Sequence, residues 1–278
     1  MFPEPPAVPA AAEPLVTRFA PAPTGHLHIG HVVNALHVWE TARWYRGRVL
    51  LRIEDHDGQR CRPEFERSIL DDLAWMGFVA EGALVRQSER NAIYEAALQR
   101  LRAQGLVYAC ECSRREIAAR SGAAPELRYP GTCAQKGLPE TGGRALRVRL
   151  EPVAETFDDL LQGPQRQVPA EQCGDLLVRD RNGYWTYQFA VTVDDFDQRV
   201  NLVIRGADLL PSTGRQIQLA RLLGRTEPPR VMHHRLVMKS VGRKVSKSDG
   251  DTGVRDLRAA GLSPQEVIAT ARSLAGLR

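Results

Sequence analysis

A short apolar run at 15–19 is followed by Pro21, Pro23 and Gly25, which forbid regular structure, and then by Val32, Ala35, Leu36 and Trp39 at helical spacing. The pattern predicts a buried strand, a tight turn and a helix over 31–46. Leu36, Trp39 and Trp44 would face inward, and Gly47 would end the helix. Residues 49–53 are nearly all apolar, as in a central parallel strand covered on both faces, and strand, helix, strand opens a doubly wound fold. Helices follow over 63–77, with Ile69, Leu70 and Leu73 on one face, and over 91–105, with Ile93, Ala97, Leu98 and Leu101. A strand at 107–109 leads to strand-like runs at 145–149 and 175–179 and a hairpin turn at 180–183. The segments 184–188 and 189–195 read as the chain re-entering the main sheet. A strand at 201–204, a helix at 212–223, a last strand at 231–235 and two short helices at 254–260 and 264–274 complete the pattern.

Composition adds bounds. At 278 residues the chain accommodates one large α/β domain with an insertion, and 43% hydrophobic against 26% charged residues is ordinary globular usage, so a full core is expected. A net charge of +5 is compatible with an RNA partner and equally with an ordinary solvated, Arg-rich surface. Residues 1–14 are rich in Pro and Ala and read as a disordered extension. No secretory leader or stretch of about 18 apolar residues is present, which points to a soluble cytoplasmic protein without a membrane partner. Five cysteines, three of them clustered, fit a reducing compartment and a metal site better than a disulfide framework.

The chemistry concentrates in the first turn. Gly25 and Gly30 let a phosphate approach backbone N–H groups at the positive end of a helix, and His26, His28 and His31 can donate to the same anion. Taken alone, such a His-x-x-His reads equally as a solvated turn, a metal pair or a catalytic pair. Far downstream, Lys244-Val-Ser-Lys-Ser248 carries two lysines and two hydroxyls suited to triphosphate oxygens, or simply a solvated basic loop. Cys110-x-Cys112 and Cys133 supply three thiolates at spacings that suit tetrahedral zinc, which needs a fourth ligand; they could also be core cysteines.

His28-Ile-Gly-His31 and Lys244-Val-Ser-Lys-Ser248, in this order, resemble the paired signatures of class I aminoacyl-tRNA synthetases. The stretch 18–25, Arg52-Ile-Glu-Asp55 and 203–209 resemble the glutamyl branch. Cys-x-Cys followed by Tyr129-x-x-x-Cys133 resembles the glutamyl-Q tRNA(Asp) synthetases.

The resemblance implies a Rossmann-like catalytic domain with a zinc-bearing insertion and a short helical C-terminus. It would be arranged as 15–109 and 184–235 for the two catalytic halves, 110–183 for the RNA-gripping insertion and 236–278 for the loop and helices. Only thirty residues follow Ser248, leaving no anticodon-binding domain. Implied catalytic residues are His28, His31, Lys244 and Lys247. ATP would meet Thr24, Gly25, His28, Gly30, His31, Ser246 and Lys247. Glutamate would meet Arg18, Ala20, Ala22, Glu54, Tyr187 and Arg205. One structural zinc would be held by Cys110, Cys112, Tyr129 and Cys133, with water as the alternative fourth ligand, and Mg2+ would accompany ATP. The implied reaction attaches L-glutamate to the queuosine in the anticodon arm of tRNA(Asp), performed by a monomer. A truncated glutamyl-tRNA synthetase and a non-catalytic RNA-binding paralogue are the alternatives. The intact second histidine departs from the glutamyl-Q pattern, in which it is often replaced.

Overall fold

The computed structural model describes residues 13–121, 126–141, 143–240, 243–244 and 253–277. β1 (Val16–Phe19) is buried along its length and passes through the Pro-rich turn into α1 (Ile29–Trp44). β2 (Arg48–Ile53) then returns parallel to β1, with Val16 opposite Arg48 and Phe19 opposite Leu51. The helix ends differently from the expectation. Arg46 takes the left-handed conformation at φ 51, while Gly47 is needed for space, because a Cβ there would lie 2.4 Å from Leu15 Cδ2. Trp44 is likewise not inward: it is 52% exposed, whereas Trp39 packs on Phe19 and Phe78. α2 (Pro63–Trp75) turns Ile69 and Leu73 into the core, and β3 (Val85–Arg86) adds a third parallel strand beside β2.

α3 (Asn91–Ala103) leads to β4 (Val107–Cys110), α4 (Arg114–Ser121) and β5 (Ala145–Val148). The hairpin β6 (Glu155–Asp159) and β7 (Gly163–Gln167) follows, then α5 (Pro169–Gln172) and β8 (Leu176–Arg179). β4, β5 and β8 form a separate antiparallel sheet. β6 and β7 do not belong to it. Although they fall within 110–183, β6 pairs parallel to the last large strand of the main sheet, which corrects the expected boundary of the insertion.

The stretch expected as a strand re-entering the sheet is instead α6 (Tyr187–Asp197). Phe189 through Asp195 are all buried, so the helix has no polar face to reveal its period, and β-branched residues imitate a strand. β9 (Leu202–Gly206), α7 (Thr213–Leu222) and β10 (Arg230–His234) restore the strand-helix-strand alternation, with β9 and β10 parallel. β11 (Met238–Ser240) and β12 (Arg243–Lys244) make a small antiparallel ribbon. α8 (Val254–Ala259) and α9 (Pro264–Ala275) close the described chain, α9 lying on α1 with an Arg272–Glu40 ion pair.

Asn201 joins the two parallel blocks. Its N–H donates to Val16 O at 3.0 Å and its Oδ1 accepts the Val16 N–H at 2.8 Å, so β9 lies beside β1. The resulting order is β3-β2-β1-β9-β10-β6-β7. The chain reverses direction of winding between β1 and β9, and a crevice at the C-terminal ends of the strands opens there. No helix among the described residues is long and apolar enough to cross a membrane.

Candidate active site

The turn after β1 is pinned from outside: Pro21 O accepts the Glu54 N–H and Pro23 O the Arg62 N–H, both at 3.0 Å. This fixes the start of α1, where two histidines replace the usual capping side chains. His28 Nδ1 accepts the Gly30 N–H at 3.1 Å, and His31 Nδ1 accepts the His28 N–H at 3.0 Å. The rings lie 3.8 Å apart. Because each Nδ1 is an acceptor, each neutral ring carries its proton on Nε2. Gly30 makes this possible, since a Cβ there would meet the His28 ring at 2.9 Å. His26 does not join them. It bonds Ser68 Oγ at 2.8 Å and sits edge-on to Phe65, so the expected convergence involves two histidines rather than three.

These groups open on a cleft of about 560 Å³. Arg18, Ala20, Ala22, Thr24, His28, Gly30, His31, Glu54, Tyr187 and Arg205 all line it. Gly25 is not among the lining residues. Lys244 is described only as backbone in β12, and Ser246 and Lys247 lie outside the described residues.

Beneath the cleft lies a buried ion network. Arg18 Nε donates to Asp195 Oδ1 at 3.0 Å. Arg52 reaches Asp195 at 2.9 Å, Glu54 at 3.3 Å and Asp194 at 3.6 Å. Asp194 also takes Gln87, Arg90 and Tyr94. Burial pushes the Asp195 carboxyl up, but Arg18 and Arg52 outweigh it and hold it below the ordinary value. For Glu54 burial prevails over Arg52 and Arg18, and its carboxyl is raised. Burial and the Glu54 charge raise the Tyr187 phenol, and burial lowers Arg205. A carboxylate made costly by burial beside two buried guanidinium groups suits a small zwitterion that carries an ammonium and further carboxylates.

Cys110, Cys112 and Cys133 bring their Sγ atoms within 4.8 Å of one another, which fits a tetrahedral ion with metal–sulfur distances of about 2.3 Å. Tyr129 is buried against them, its hydroxyl 3.5 Å from Cys110 Sγ and accepting the Cys133 N–H at 2.8 Å. Gly174 allows Tyr129 to be there, because a Cβ would fall 2.0 Å from the Tyr129 carbonyl oxygen. Between this cluster and α6 lies a second cleft of about 840 Å³, bordered by Arg114, Arg147, Arg181 and Arg215 and by Tyr187.

Sequence reasoning missed Asp194, Asp195, Asp159, His233, Asn34 and His234, all of which sit in or directly behind the first cleft. The Asp-Asp pair ending a buried apolar run was the one available signal.

Residues 14–276 match the family described as tRNA synthetases class I (E and Q), catalytic domain. The chain is 47% identical to the glutamyl-Q tRNA(Asp) synthetase of Bordetella bronchiseptica, over 84% of this chain and 75% of that protein. Identity to the enzyme of the same name from Burkholderia mallei is 48%, over 84% and 80%. Among solved structures, a glutamate-tRNA synthetase from Elizabethkingia anophelis superposes with a TM-score of 0.74 at 28% identity. That match covers 90% of this chain, which spans about half of the other (54%). From the matching family, the identity to these relatives and the shared fold, the chain belongs to the class I tRNA synthetases of the glutamate and glutamine group, and within them to the glutamyl-Q tRNA(Asp) synthetase family.

Proposed function

We propose that the protein activates L-glutamate with ATP and transfers it to the queuosine at the wobble position of tRNA(Asp). The observation that carries this reading is the single cleft at the strand ends in which Arg18, Glu54, Tyr187 and Arg205 lie beside the His28–His31 pair. A carboxylate oxygen of glutamate attacks the α-phosphorus of ATP; a P–O bond forms, the bond to pyrophosphate breaks, and glutamyl adenylate results. The Nε2–H groups of His28 and His31 stabilise the charge on the five-coordinate phosphorus. Thr24, Gly25 and Gly30 allow the nucleotide close to the turn, and Ala20 and Ala22 leave room for the amino acid. Lys244, Ser246 and Lys247 hold the departing pyrophosphate, and Mg2+ bound with ATP offsets phosphate charge.

Glu54 takes the substrate ammonium, while Arg18, Arg205 and Tyr187 take its carboxylates. In the second step a hydroxyl of the queuosine cyclopentenediol attacks the carbonyl carbon, an ester forms and AMP leaves. The arginine-bordered second cleft supports placing the anticodon arm between the main sheet and the cysteine-bearing unit. One zinc would be held by Cys110, Cys112 and Cys133 with Tyr129 as fourth ligand, and would tie the segments 110–112 and 129–133 together. The enzyme works as a cytoplasmic monomer.

The test is incubation with labelled glutamate, ATP and either tRNA(Asp), with and without queuosine, or tRNA(Glu). Label confined to queuosine-containing tRNA(Asp) and retained after removal of the 3′-terminal adenosine is the expected result. Label on tRNA(Glu) that leaves with that adenosine would instead identify an acceptor-end synthetase, and absence of glutamate-dependent pyrophosphate exchange a non-catalytic paralogue.

A further inference from the structure

Arg18 and Arg52 end on carboxylates, but Arg205 does not. Its Nε donates to His233 Nε2 at 2.9 Å, Nη1 to Gln216 Oε1 at 2.7 Å and Nη2 to Thr213 Oγ1 at 3.0 Å. Each acceptor is neutral when His233 is neutral, and among the described residues this buried guanidinium forms no ion pair. With Asp195 acting on it only from beyond ion-pair distance, a buried cation whose direct acceptors are neutral keeps most of its attraction for an incoming anion.

The histidine determines that arrangement. A guanidinium only donates, so His233 Nε2 must be the acceptor and the ring proton must sit on Nδ1, where it is donated to Asp159 Oδ2. Asp159 cannot turn away. Its other oxygen accepts the N–H groups of Leu161, Gln162 and His233 at 2.9, 2.9 and 3.2 Å, binding it into the β6–β7 turn. Gln162 Nε2 donates in turn to His233 O at 2.7 Å. The carboxylate thus acts one residue removed from Arg205: it sets the tautomer of His233 without neutralising the guanidinium.

We propose that Asp159 and His233 are positioning residues that hold Arg205 charged, oriented and unpaired, so that the cleft selects the carboxylate of glutamate over the neutral amide of glutamine. The proposal rests on reading the cleft as a glutamate site. It assigns a specificity role to the β6–β7 hairpin, which the sequence places in the insertion and the structure places in the main sheet.

Three variants test it, with amino-acid-dependent pyrophosphate exchange giving separate KM values for glutamate, glutamine and ATP, and calorimetry giving glutamate affinity directly. His233→Leu removes the acceptor. It is expected to raise KM for glutamate more than about tenfold and to narrow the preference over glutamine, with KM for ATP changed less than about twofold. His233→Gln, whose amide oxygen can accept from Arg205, should recover most of that loss. In Asp159→Asn the three backbone N–H groups hold the amide oxygen, so its NH2 faces His233 Nδ1, the ring proton moves to Nε2, and a donor faces a donor. KM for glutamate should rise as in His233→Leu.

If His233→Leu fails to fold, Asp159→Asn and His233→Gln decide by the same readings. Unchanged KM for glutamate in Asp159→Asn, or equal increases in KM for ATP and glutamate, would overturn the proposal. Native protein that neither binds nor activates glutamate would instead overturn the reading of the cleft.

Discussion

The Nδ1 of His31 accepts the backbone N–H of His28 at 3.0 Å, and the Nδ1 of His28 accepts that of Gly30, so each histidine of the pair fixes its ring by capping the helix that carries it. The cap and the proposed chemistry therefore use opposite nitrogens of the same rings.

This separation gives the first prediction. His31→Ala should lower the rate of glutamate-dependent pyrophosphate exchange by about 10²–10³. The cap contact it removes is worth about 1 kcal/mol, so the melting temperature should fall by only about 2–4 °C on that account. Gly30→Ala should behave like it, because the added Cβ collides with the His28 ring. A variant that lost activity only in proportion to unfolding would contradict the assignment.

For the cysteine cluster, elemental analysis of protein purified without chelator should find one zinc per chain. Cys133→Ala should lose it together with soluble yield. Tyr129→Phe should keep the metal but bind it more weakly, since the thiolates remain within reach of one ion. A zinc content unchanged in Cys133→Ala would exclude the ligand set.

Glu54 supplies a pH dependence. Its carboxyl is raised in the free protein, chiefly by burial, and a bound ammonium pulls it back down. Binding then expels a proton wherever the pH lies between the two values, so glutamate affinity should rise with pH across that window. Calorimetry in buffers of different ionisation enthalpy measures the proton released. Uptake of a proton on binding, or affinity that falls as pH rises above the ordinary carboxylate range, would refute the role given to Glu54.

Asp72 gives the fourth. Its Oδ2 is buried without a hydrogen bond, and burial raises its carboxyl to about 6 against the opposing pull of Arg258 and Arg255. With the folded value above the unfolded one, its contribution to stability is fully present below about pH 4 and is lost as pH rises through 6. The loss is at most about 3 kcal/mol. Thermal unfolding of Asp72→Asn should show less loss of stability between about pH 4 and 6.5 than the native protein.

How much of this was legible differed from element to element. The first strand, turn and helix announced themselves because proline and glycine punctuate the chain beside a clear helical period, and strand ends then marked Arg18 and Glu54. α6 did not, since burial on every side erased its period. β6 escaped because Glu155, Asp158 and Asp159 make it read as a polar loop, and only its place beside β10 makes it a strand. Asp195 left a signal as half of an Asp-Asp pair at the end of an apolar run, but its role could not be read there because its partner, Arg18, lies 177 positions away. His233 was likewise legible only as a strand residue, for its role comes from Asp159, 74 positions earlier.

Tyr187 lines both clefts, the one beside the two histidines and the one beside the cysteines. For inhibitor design this puts a single phenol ring on the border of two binding rooms. A compound with an amino-acid head near Glu54 and an anionic tail aimed at Arg147 would have that one side chain as a neighbour of both its ends. Its selectivity could then be tuned at the linker, without altering either end group.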